Sequence, residues 1–135
     1  MIMKIFALRL KPEQDLKKNL KNFVATNKIQ AGFILTAVGS LAQATIRFAN
    51  QNESQVLSGK FEIVSLVGTV SINGIHLHIS ISDSEGITRG GHLDDGCLIY
   101  TTAEIVIGEN ETLTFLRELD EQTGYQELEI ITRNE

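Results

Sequence analysis

Apolar and polar positions alternate from residue 3 to residue 10, with Phe6, Leu8 and Leu10 on one side and Ile5, Ala7 and Arg9 on the other, the two-residue period of a strand. After Pro12 the period changes. Leu16, Leu20, Phe23 and Val24 recur at helical spacing, so a helix is expected to open at Pro12, with Glu13 and Asp15 at its positive end and Asn27 as its stop. Strand periodicity returns in residues 33–38, a Gly39-Ser40 turn, residues 41–48, a polar loop at 50–54 and residues 61–70. Asn73-Gly74 suits a two-residue type I′ turn, which pairs 62–72 with 75–82 as an antiparallel hairpin. Residues 83–96, holding Gly86, Gly90, Gly91 and Gly96 among acidic side chains, are expected to form a loop. Strands follow at 98–100 continuing through 102–107, at 112–119 after a turn at 108–111, and at 126–131 after a break at Gly124.

One helix among many strands predicts an α/β chain of the α+β kind: a single domain over residues 1–135, with a curved, largely antiparallel or mixed sheet packed by one amphipathic helix near the N-terminus. At 14.9 kDa such a domain buries roughly two-thirds of the surface of its unfolded chain, enough to fold without staples. Cys97 is the only cysteine, which excludes an internal disulfide and favours a reducing compartment. Its position before Leu98 and Ile99 suits a small core residue better than a nucleophile. No apolar run approaches the roughly 18–20 residues of a membrane span, and the opening residues lack the regions of a signal peptide, so the expected location is cytoplasmic, with no membrane partner.

The net charge of −5 opposes unaided attraction to a phosphate backbone. Lys17, Lys18, Lys21 and Lys28 form the one basic concentration, on the expected outer face of the helix. Arg9, Arg47, Arg89 and Arg117 would make a basic patch only if the fold gathers them. Few aromatic residues are present to stack on single-stranded bases.

Imidazole chemistry has one address, because all three histidines fall between residues 76 and 92. Strand parity puts His76 and His78 on one face and Ile75, Leu77, Ile79 and Ile81 on the other. Two residues rise by roughly 6.7 Å along a strand, a gap that two imidazoles can close onto one ion. His92, after Gly90-Gly91, supplies a third ligand, and zinc or another divalent transition metal is the expected ion. The alternative leaves these histidines on a solvated or subunit-facing surface. Glu104 and Glu62 are candidates to orient the ligands from behind, while Asp83, Asp94 and Asp95 would do that, bind a cation or solvate a turn. Gly90-Gly91 lacks the Lys-Ser/Thr of a phosphate-binding loop, and no nucleophile elbow is present.

Taken in order, Phe6-Ala7-Leu8-Arg9-Leu10, Gly39-Ser40-Leu41, Gly59-Lys60-Phe61-Glu62-Ile63, His76-Leu77-His78, Gly90-Gly91-His92-Leu93 and Thr101-Thr102-Ala103-Glu104 resemble the PPC domain, the plant and prokaryote conserved domain, over nearly the whole chain. The resemblance implies a homotrimer of compact α/β subunits acting as a binding or regulatory module, in prokaryotes labelled as DNA-binding. This sequence lacks the Arg-Gly-Arg-Pro AT-hook of plant relatives. Their partner-contacting motif corresponds to Gly59, Lys60, Phe61, Glu62, Ile63 and Val64, where Lys60 replaces arginine and loses its planar fork. The histidine order is also similar to the zinc site of alpha-acetolactate decarboxylases, which implies a rival reading as a metal-dependent enzyme or small-ligand-binding protein using His76, His78 and His92.

Overall fold

The computed structural model describes residues 3–133. In chain order the elements are β1 (Met3–Leu10), α1 (Leu16–Thr26), β2 (Gly32–Arg47), β3 (Gln55–Ser71), β4 (Gly74–Ser82), β5 (Thr88–Leu93), β6 (Leu98–Asn110), β7 (Leu113–Leu119) and β8 (Gln126–Thr132). Every pairing is antiparallel. Six strands lie in the order β1-β6-β2-β3-β4-β5, and β5 also returns to the end of β2. That return closes β2, β3, β4 and β5 into a ring, leaving β6 and β1 as an extension. Leu16, Leu20 and Val24 of α1 pack with Leu41, Leu77, Ile79, Ile99 and Ile105 in one apolar core. No described helix is long and apolar enough to cross a membrane.

The helix starts later than its proline suggests. Glu13 takes a positive φ of 73°, and Asp15 is the N-cap, accepting a hydrogen bond from the Lys18 backbone N–H at 3.0 Å. Its second oxygen accepts from the Gly96 N–H at 2.7 Å, tying the helix start to the approach to β6. Asn27 is the C-cap, as its position implies.

Two expected breaks are strands. Gly39 lies inside the continuous β2, where a Cβ would come 2.2 Å from the Thr102 carbonyl oxygen, so this glycine permits the close approach of β6 and makes no turn. The expected loop at 83–96 contains β5, whose Gly91 would place a Cβ 2.5 Å from the Arg47 carbonyl oxygen. In both places glycine marks backbone against backbone, a use that cannot be told from a turn in the sequence alone. The β3–β4 hairpin forms as expected with a different turn: Ser71 pairs with Gly74, and neither Ile72 nor Asn73 has a positive φ. Serine first and glycine fourth fit a type I turn. The shift leaves strand parity unchanged, with Leu77, Ile79 and Ile81 buried.

β7 and β8 form a separate two-stranded sheet fastened to the body. The Phe115 carbonyl accepts from Ser71 Oγ at 2.9 Å and Asn73 Nδ2 at 3.0 Å, while the Phe115 N–H donates to the Gln30 carbonyl at 2.8 Å. Arg133 Nη2 donates to the buried Glu109 carboxylate at 2.9 Å. These contacts set the hairpin beside the β3–β4 turn.

Candidate metal centre

β4 carries His76 and His78 on its outward parity, and the β4–β5 register sets His78 directly opposite His92. The ring centroids lie 5.2 Å apart for His76 and His78, 5.3 Å for His76 and His92, and 6.0 Å for His78 and His92. One nitrogen from each ring falls within 4.8 Å of the other two, close enough for the three to hold a metal ion. Three imidazoles sharing tetrahedral zinc have nitrogens about 3.4 Å apart, a difference that ring rotation closes. The expected convergence of the three histidines is therefore present.

The protonation of His76 and His92 suits a cation. Burial, reinforced by Arg117 and His78, holds the His76 pKa below its ordinary value against the opposing pull of Glu127. Burial and then Arg47 lower that of His92, with Asp94 opposing. Neutral imidazole is the form that ligates a metal. His92 Nδ1 is buried without a hydrogen-bond partner, whereas Nε2 lies 3.8 Å from Asp94 Oδ1. A proton on the Nε2 side, facing Asp94, leaves the Nδ1 lone pair free for a cation. Ser54 Oγ donates to the other oxygen of Asp94 and steadies that carboxylate.

His76 and His92 open onto a pocket of about 600 Å³ whose lining also includes Arg47, Arg117, Tyr125 and Glu127. Arg47 stands opposite His92 in the β2–β5 register, and Arg117 Nη2 donates at 2.9 Å to Thr69 Oγ1, Thr69 being the cross-strand partner of His76. Sequence spacing gave no sign that these arginines meet the histidines, because β2–β5 closure and β7 docking are long-range events. Arg9 and Arg89 lie elsewhere, so the four arginines do not form one patch; Arg9 donates to Thr102 Oγ1 at 3.0 Å, and Arg89 pairs with Ile81.

Glu62 and Glu104 do not join the histidines. Glu62 pairs with Ser40 and Ser82, seven positions along β3 from Thr69, a distance of roughly 23 Å at strand rise. Glu104 pairs with Arg9 and Val38 and accepts from Thr102 Oγ1 at 3.4 Å. The carboxylates beside the histidines are Asp94 and Glu127. Asp83 caps its own turn, accepting from the Glu85 and Ile87 N–H groups at 2.9 and 3.0 Å, and Asp95 is exposed. In the segment 59–64, Phe61 and Ile63 enter the core, whereas Gly59, Lys60, Glu62 and Val64 are exposed. The Lys60 ammonium sits 4.3 Å from the centre of the Tyr100 ring.

The sequence pattern of the Plants and Prokaryotes Conserved (PCC) domain matches residues 1–111. The chain belongs to this family. The chain is 50% identical over 128 residues to part of the bifunctional protein GlmU of Synechococcus, a stretch that is 95% of this chain and 21% of that protein. The chain thus spans about a fifth of the curated relatives it matches. A solved protein of Salmonella enterica superposes with a TM-score of 0.96 at 42% identity, over 98% of this chain and 96% of its own. A metal-containing protein of Archaeoglobus fulgidus superposes at 0.80 with 29% identity, over 93% and 92% of the two chains. Arg117, Tyr125 and Glu127 lie beyond the matched stretch, so part of the pocket wall comes from chain outside the PCC pattern.

Proposed function

We propose that this PCC domain is a metal-dependent small-ligand-binding module in which His76, His78 and His92 hold one divalent transition ion, zinc first. The observation that carries the reading is three nitrogens on adjacent strands within 4.8 Å of one another. The partnerless His92 Nδ1 supports it, because a buried polar atom without a partner is costly unless something occupies it. The all-imidazole donor set suits zinc, nickel or copper better than magnesium or calcium. When bound with an open position, such an ion polarises a ligand oxygen or lowers the pKa of water. His76, His78 and His92 would hold the ion, and the pocket walls beside His76 and His92 would limit what approaches it.

The metal content of the wild-type protein, His78→Ala and His92→Ala, measured after dialysis against zinc, tests the site. One ion per wild-type chain and loss in both variants supports it, and full stoichiometry in both rejects it. We further propose assembly as a homotrimer through the outward apolar side chains of β2 and β3, among them Leu35, Val38, Val56 and Val64. Sedimentation as a monomer at micromolar concentration would reject that. With a net charge of −5, a small ligand is a better-supported target than duplex DNA.

A further inference from the structure

We propose that Arg47 and Arg117 form an oxyanion seat beside the histidine centre, taking a small hydroxylated carboxylate or phosphate ester whose anionic group pairs with the two guanidiniums. This rests on the metal reading above and names the ligand class of the same site. Several independent contacts place the arginines. Arg47 is the register partner of His92, and its Nη1 donates to the Gln51 carbonyl at 3.3 Å. Arg117 reaches in from β7, with Nη2 on Thr69 at 2.9 Å. Its stem crosses Gly74, where a Cβ would stand 2.9 Å from Arg117 Cγ, so the β3–β4 turn leaves room for that side chain.

Both arginines are half-buried, yet among the described residues neither lies within 4.0 Å of a carboxylate. A guanidinium carries five N–H donors, so each arginine retains donors after its single protein contact. Glu127 also lines the pocket and supplies one opposing charge. Two arginines against one glutamate leave the wall cationic before any ion is added, and a planar fork matches two oxygens of a carboxylate or phosphate. The amides of Asn50, Asn52 and Gln126 on the same wall offer hydrogen bonds suited to hydroxyl groups. A volume of about 600 Å³ fits a metabolite rather than a polymer.

The test uses the intact protein loaded with cobalt(II), whose visible spectrum reports its coordination, titrated separately with L-lactate and inorganic phosphate. The expected result is a saturable spectral change with at least one anion, weakened about tenfold or more in Arg47→Gln and in Arg117→Gln at unchanged cobalt stoichiometry, as loss of a charge-assisted contact implies. The anion that saturates assigns the carboxylate or phosphate source. If Arg117→Gln loses cobalt through misfolding, Arg117→Lys replaces it, keeping the charge without the fork. Unchanged anion affinity in the variants overturns the seat and leaves the metal site standing, as does a wild-type protein that binds cobalt but answers neither anion. Failure of the wild type to bind cobalt overturns both.

Discussion

His78 and His92 face each other across the β4–β5 ladder, so an ion shared between them would cross-link two neighbouring strands. His76 sits two residues along β4 and meets the same point. Zinc that binds only the folded arrangement stabilises it by mass action, about 2.7 kcal/mol at a hundredfold excess over Kd. Thermal unfolding should therefore shift upward with zinc in the wild-type protein and stay unmoved in His92→Ala. An equal shift in both would place the ion elsewhere.

Cys97 should be inert in the native state. Burial, opposed by a hydrogen bond with the Thr45 backbone, pushes its thiol from the ordinary 9.0 up to about 11. The folded chain thus holds the proton more tightly than the unfolded chain, and the resulting stability is complete below pH 9.0 and lost as pH rises toward about 11. A thiol-reactive dye at pH 8 should label the protein only in denaturant. Rapid native labelling would contradict the buried position.

Gly39→Ala tests close strand approach. A methyl group there meets the Thr102 carbonyl oxygen and the Ala103 Cα, at 2.2 and 2.7 Å, and both are backbone atoms that cannot rotate away. Urea unfolding should show a loss of about 1–3 kcal/mol, the usual range for overpacking. A neutral result would mean that β2 and β6 are further apart than described.

The C-terminal hairpin depends on Glu109 and Arg133. Glu109 is 5% exposed and accepts from Arg133 at 2.9 Å and from the Gln30 N–H at 2.6 Å. Arg133→Ala leaves that carboxylate with backbone donors alone and should cost about 1.5–3 kcal/mol, the value of a charged hydrogen bond. Hydrogen exchange should accelerate in β7 and β8 before the six-stranded sheet. Uniform protection throughout would show that the pair does not fasten the hairpin.

Much of this layout was legible in the chain. Parity alone put His76 and His78 on the outer face, and the Asn73-Gly74 region marked the hairpin that carries them. Glycine was the ambiguous letter: at Gly39 and Gly91 it serves close backbone contact, so one turn and one loop expected from sequence are strands. Arg47 and Arg117 were visible as charges but not as neighbours of the histidines. Their placement depends on β5 returning to β2 and on β7 docking against the β3–β4 turn, neither of which has a local signature. Glu62 and Glu104 had suitable chemistry, but cross-strand register sets each beside other partners.

Anomalous diffraction at the zinc edge from crystals of the zinc-loaded protein tests the central claim most directly. The account predicts one peak per chain, about 2.0–2.1 Å from a nitrogen of each of His76, His78 and His92. A peak at other side chains, or none between these rings, would contradict it.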